Sequence, residues 1–174
     1  YKSIVAAQKM IASIERQDSL QLSYLFTKKR GYIKNFTINK KEFLVALKDA
    51  QNNITEQGES KIVNQIAKEY GDYVEEFNNF LFLKEKQSEY YFKKIFPKFE
   101  NIKKLSKDLV SVNQNAMLIK RDKASITAQK AVIFTFIASI SIIILGVFII
   151  SYLIAKILKQ FDIFVEKIEG VSSE

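Results

Sequence analysis

The sequence predicts an all-α protein: an up-down-up-down bundle of four helices that continues into a membrane-crossing helix. Three observations carry this expectation. Residues 1–130 hold only three glycines and one proline, and their apolar side chains recur at spacings of three and four. Residues 131–155, AVIFTFIASISIIILGVFIISYLIA, are 25 residues without a charge. As a helix they extend about 37 Å, against a hydrocarbon core of roughly 30 Å. An amphipathic pattern then resumes directly after them.

The first helix is expected over about residues 2–27, from Ile4, Ala7, Ile11, Ile14, Leu22 and Leu25. A second, about 32–53, rests on Phe36, Phe43, Leu47, Ala50 and Ile54. Between them Lys28-Lys29-Arg30-Gly31 is read as a break, although one glycine costs a helix only about 1 kcal/mol. Topology decides it. The chain starts at Tyr1 without an initiating Met and is read as a fragment. With a first span upstream, both ends of the domain return to one membrane face, and antiparallel neighbours then require an even helix count.

Thr55 in the turn Asn52–Glu59 is read as the N-cap of a third helix, about 56–94, with acids in its first turn. Pro97 fits the first turn of a helix and not its interior, so it is expected to open the fourth, about 97–130. There Ile102, Leu105, Leu109, Val112, Ala116, Ile119, Lys123 and Ile126 step by threes and fours, the seam of a helix packed in a bundle or coiled coil. No breaker separates Ile126 from Ala131, so one continuous helix is expected to enter the bilayer. Beyond the span, Ile157, Phe161, Phe164, Ile168 and Val171 repeat the seam. The domains are thus 1–130, 131–155 and 156–174.

Composition excludes much chemistry. The chain has no Cys, no His and no Trp, so thiolate nucleophiles, imidazole bases, disulfides, the usual zinc ligands and a Ser-His-Asp triad are all ruled out. Its 27 Lys and Arg against 19 Asp and Glu give +8. Residues 1–130 carry 24 basic and 15 acidic side chains, a balance of +9, so the excess lies before the span. Two basic clusters, Lys28 to Lys41 and Lys93 to Lys107, are placed at the membrane-distal end, where they solubilise a face or draw an anionic ligand or surface polymer. Nucleic acid is not an expected partner, as no recognition motif accompanies the charge. Four basic residues before the span against three after it leave orientation open.

Within the first helix, Asp18 and Gln21 fall on the apolar seam. An unpaired buried polar group costs roughly 1–3 kcal/mol, so partners are expected. Arg16, one of three arginines, has a planar fork suited to carboxylate or phosphate. The group Arg16, Gln17, Asp18 and Gln21 is either a layer that fixes bundle register or a site that binds a small anion or sets a switch. Tyr70, Tyr73, Phe77 and Phe80 form an aromatic stripe that reads first as core. With a ligand pocket between helices, Tyr70 and Tyr73 are its expected wall.

Two segments are familiar. Ile14-Glu15-Arg16-Gln17-Asp18-Ser19 with Leu22, Tyr24 and Leu25, then Phe43, Ala46 and Ala50, Asn53-Ile54-Thr55-Glu56 with Gly58-Glu59, and Tyr70 and Tyr73 resemble the extracytoplasmic sensor of the alginate-regulating KinB type of bacterial sensor histidine kinase. Ile157-Leu158-Lys159-Gln160-Phe161-Asp162, running to Ile168-Glu169-Gly170, resembles the first helix of a HAMP domain. Gln160 stands where HAMP helices usually carry proline. The resemblance implies a homodimer in the bacterial inner membrane, with residues 1–130 extracytoplasmic and 156–174 cytoplasmic. It further implies a response regulator as partner, no cofactor in this segment, and ATP and magnesium at a kinase region beyond Glu174. No catalytic residue is expected here. A methyl-accepting chemotaxis receptor shares the same order of parts and is distinguished only by the sequence beyond Glu174. A single-span structural or adhesion protein needs neither HAMP seam nor upstream span.

Overall fold

The computed structural model describes residues 2–171. They are helical almost throughout, with no strand among the described residues. The chain divides into two compact units, residues 1–120 and 121–174.

In the first unit, α1 (Lys2–Thr27) turns Ile4, Ala7, Met10, Ile14 and Leu25 inward. It ends where Lys28 adopts a left-handed conformation (φ 57°) and donates its N–H to the Tyr24 carbonyl at 2.8 Å. The break expected at this point is therefore present, but Lys28 makes it, and Gly31 is the first residue of α2 (Gly31–Gln51). Ser3 meets Asn53 at 2.8 Å and Ser13 meets the Asn39 carbonyl at 2.6 Å, so α1 and α2 run in opposite directions. α2 buries Phe36, Phe43, Ala46, Leu47 and Ala50.

α3 (Glu59–Phe82) presents Val63, Ile66, Tyr70, Tyr73, Phe77 and Phe80 as one buried stripe. Phe43 stacks on Tyr70 at 3.8 Å and Phe36 lies 4.0 Å from Phe77. Two expectations about this helix are corrected. Thr55 does not cap it: the cap residue is Gly58, whose φ of 90° suits glycine. The buried Glu59 carboxylate instead accepts the backbone N–H groups of Thr55 (2.6 Å) and Glu56 (2.8 Å) and the side-chain amide of Asn113 (2.5 Å). The helix also stops at Phe82 rather than near 94, because Leu83 turns extended and Lys86 is left-handed (φ 56°).

The third correction concerns Pro97. The last helix is already under way before it: α4 (Gln87–Tyr90), a π-helical turn (Tyr91–Ile95) and α5 (Phe96–Val171) succeed one another without interruption. In the π turn the Phe96 N–H reaches the Tyr91 carbonyl, five residues back. In a regular α-helix the Pro97 ring would meet the carbonyl of Lys93. The wider winding immediately upstream relieves that conflict and lets proline sit inside a helix.

α5 packs Phe99, Ile102, Leu105 and Leu109 into the core. Asp72 and Glu15 hold it through Lys98 (3.3 Å) and Lys103 (2.8 Å), and Glu56 through Lys120 (2.6 Å). The expected seam is covered only in its first half: Val112 and Ala116 are half-buried and Ile119 is exposed.

The helix from Gln87 to Phe161, whose later part forms the second unit, is long and apolar enough to cross a membrane. Its apolar side chains between 131 and 155 are exposed, unlike those of a soluble core helix. Of the seam expected after it, the side chains of Phe164, Ile168 and Val171 and residues 172–174 lie outside the described residues.

A lysine in the left-handed region pays about 1 kcal/mol that glycine does not. Lys86→Gly should therefore leave stability unchanged or raise it by up to about 1 kcal/mol, while the β-branched Lys86→Val should lower it by at least as much. Thermal denaturation of the two variants checks the link between α3 and α4.

Candidate functional site

The polar residues singled out in α1 divide into two environments. Gln17 and Gln21 are fully buried and Asp18 is 8% exposed, whereas the Arg16 side chain is 65% exposed. A helical rotation of 100° per residue separates them: 17, 18 and 21 share the inward face, and 16 lies beyond its edge.

On the inward face Gln17, Asp18 and Gln21 each find at least one partner. The Tyr70 hydroxyl donates to the Gln17 side-chain carbonyl at 2.9 Å. The Gln17 amide donates to Ser13 and to the Asn39 carbonyl, both at 3.3 Å. The Gln21 amide donates to the Tyr73 hydroxyl at 2.8 Å. The Tyr91 hydroxyl donates to the Asp18 carboxylate. α1, α2, α3 and the π turn are thereby joined at one level of the core. The Gln21 side-chain carbonyl is buried there without a hydrogen-bond partner.

The electrostatics follow from burial. Loss of solvent raises the Asp18 carboxyl above its ordinary value against the lowering effect of the Tyr91 hydrogen bond; Glu100 raises it further and Lys103 opposes. Burial likewise drives the Tyr70, Tyr73 and Tyr91 hydroxyls up, so all three remain protonated at neutral pH. At the far end of α3 burial works against the charge of Glu59. Its bonds from Glu56, Thr55 and Asn113 outweigh that effect and hold the carboxyl below the usual range.

Arg16 faces the α1–α2 surface, where it pairs with Glu42 at 3.4 Å. Both partners are more than half exposed, and a pair of this kind contributes about 0–1 kcal/mol. Two open clefts meet at Arg16. One, of about 570 Å³, includes Ser19, Asn35 and Asn39. The other, of about 470 Å³, includes Lys9, Lys41 and Glu42. The six candidate residues therefore do not form one pocket: Gln17, Asp18, Gln21, Tyr70 and Tyr73 bind one another inside, and Arg16 stands apart.

Tyr91, Ser13 and Asn39 complete the layer and were not among the sequence candidates. Among the described residues no cluster of acidic side chains is placed to hold a metal ion. The arrangement holds helices together. No family model matches the chain, and no curated protein or solved structure matches it.

Removing the Tyr91 hydroxyl leaves a buried carboxylate oxygen without its donor. Tyr91→Phe should cost about 1–3 kcal/mol at pH 7. Asp18 has a raised carboxyl value in the folded chain, so its ionised form costs stability, and that cost fades as pH falls through the folded value towards the unfolded one. Asp18→Asn keeps an acceptor for Tyr91 and removes the charge. It should be more stable than the parent at pH 7, with the difference shrinking towards pH 4. Thermal melts of both variants from pH 4 to 8 measure this.

Proposed function

We propose that residues 1–174 are the sensing and membrane-crossing part of a bacterial two-component sensor histidine kinase of the KinB type. The observation that supports this best is the hydrogen-bonded polar layer that ties α1, α2 and α3 to Tyr91, on the helix that carries the apolar segment. A purely structural bundle would be at least as stable with apolar residues at those positions. Polar groups that must all be satisfied together define discrete packing states, which a sensor requires.

In this reading the first domain is an up-down-up-down four-helix bundle. Its support is the set of pairings Ser13 with Asn39, Phe36 with Phe77, and Glu15 and Asp72 with Lys103 and Lys98. Residues 131–155 cross the cytoplasmic membrane, 1–130 lie outside, and 156–174 begin a cytoplasmic HAMP domain. The protein acts as a homodimer, and Ile119 and Ile126, 57% and 52% exposed, are the continuation of the seam that a partner helix covers. A small anionic ligand meets Arg16, Lys9 and Lys41 at the surface cleft, where displacing Glu42 costs little, and not the occupied polar layer.

Signal passes as a change in helix packing, typically a shift of about 1–2 Å. The π turn offers such a step, since exchange between π and α winding moves α4 against α5 by about one residue, 1.5 Å and 100°. The response regulator and the ATP- and magnesium-dependent kinase chemistry belong to the cytoplasmic region of the full-length protein.

Transmission through a rigid helix depends on phase. One residue inserted beside Lys130 turns everything after it by about 100°, whereas seven restore the phase to within roughly 20°. In the full-length protein a one-residue insertion should lock or abolish the response, and a seven-residue insertion of Ala and Leu in seam phase should retain part of it. Reporter output or autophosphorylation across insertions of one to seven residues is the measurement. Output that ignores phase, or declines steadily with length, overturns the reading.

A further inference from the structure

The end of the domain where α1 passes to α2 and α3 to α4 combines three features. The first is charge: residues 26–34 and 82–94 carry eight basic and two acidic side chains, a balance of +6. One of the acids, Glu89, is already paired with Lys93 at 2.7 Å. The second is a set of phenylalanine rings left in water, Phe82 at 87%, Phe26 at 78% and Phe92 at 54% exposure. The third is a cleft of about 330 Å³ between α4 and the link before it, with Leu83 and Tyr90 as its apolar wall and Lys86, Lys93 and Lys94 set against Glu85 and Glu89 around them.

The two turns are held as one surface. Lys28 of the first donates to the side-chain carbonyl of Gln87 beyond the second, and the Gln87 amide donates to the Phe80 carbonyl at 3.1 Å. A face that only solubilises the domain has no use for three exposed rings. Charge complementarity calls for an anionic partner, and the rings call for one with apolar groups as well. The cleft narrows the choice. A polyphosphate chain has no apolar group to place there, whereas a polypeptide supplies acidic and apolar side chains on one strand.

We propose that this end of the domain is a docking surface for an acidic polypeptide segment, one apolar side chain of which seats in the cleft beside Leu83 and Tyr90. Lysines steer the encounter and set its salt dependence, and Phe26 and Phe82 supply the apolar contact.

The test uses the whole chain in nanodiscs of zwitterionic lipid and four probes: a random Glu/Tyr copolymer, polyglutamate of equal length, polyphosphate, and vesicles containing phosphatidylglycerol. The copolymer should bind at least tenfold more tightly than polyglutamate or polyphosphate. Lys28→Glu with Lys86→Glu should weaken both polypeptides at least tenfold, while Phe82→Ser should bring the copolymer down to the level of polyglutamate. Circular dichroism establishes that each variant keeps its helicity. The proposal is overturned if the copolymer fails to bind, or if all polyanions bind alike and Phe82→Ser changes nothing, which means charge attraction alone. Tighter binding to the anionic vesicles than to either polypeptide overturns it in favour of a lipid surface.

Discussion

The hydrogen bond from Tyr91 to Asp18 ties the π turn of the last helix to α1, and much of the domain's packing is arranged around it. Tyr91, Ile95, Phe99 and Ile102 are all buried, at steps of four, four and three. Eleven residues at about 100° each come within roughly 20° of three full turns, so the four side chains share one inward face. The π turn stands at the head of this run, and from it Tyr91 reaches α1 while Ile102 and Leu109 hold their places in the core. The same widening admits Pro97. One local irregularity thus satisfies a buried carboxylate and a proline together.

Around that bond the core alternates between tolerance and exactness. Phe36, Phe43, Tyr70 and Phe77 pack by shape, and apolar packing accepts small slips at modest cost. The hydrogen bonds of Gln17, Asp18 and Gln21 do not, because a slip of one residue would strand several buried polar groups at about 1–3 kcal/mol each. The Glu59 carboxylate acts in the same way at the other end of α3, binding Asn113 of α5 and the turn before α3 at once. Two polar fixings at different heights therefore define where α3 and the last helix lie, and the apolar surface between them fills in.

Much of this was legible in the sequence. The apolar spacing gave α1 and α2 nearly to the residue, and it marked Tyr70, Tyr73, Phe77 and Phe80 as a buried stripe. Asp18 and Gln21 were recognisable as polar groups on an apolar face in need of partners. What failed were rules about single residues taken without their neighbours. Thr55 has the right chemistry for an N-cap, but the Glu59 carboxylate draws the Thr55 and Glu56 N–H groups into the turn, and the left-handed Gly58 starts the helix after it. Pro97 breaks a regular helix, and the rule does not extend to one already widened upstream. Reading Pro97 as a start also cut Tyr91 away from Ile95 and Phe99. Its part in the polar layer was hidden for that reason, although the steps of four between these residues carried the signal.

The ion pairs along α5 show where the last helix is held firmly and where it is free to adjust. The Lys93–Glu89 pair is solvent-facing on both sides and Lys120 is exposed on its side, and such pairs exchange partners at little cost. Lys98 and Lys103 are three-quarters buried, yet their acidic partners remain close to half exposed. Among the described residues, Asn113 with Glu59 and Tyr91 with Asp18 are the contacts of the last helix to buried carboxylates. Motion of α5 relative to α1 and α3 is therefore cheapest as a slide or turn that keeps those two contacts and trades the surface lysines. With Tyr91 in the π turn and Asn113 about 33 Å further along the helix, the winding between the two contacts is the one variable that changes at low cost. A domain built to be rigid would place its irregular turn outside such a pair of fixed points; here it lies at the edge of the interval they define.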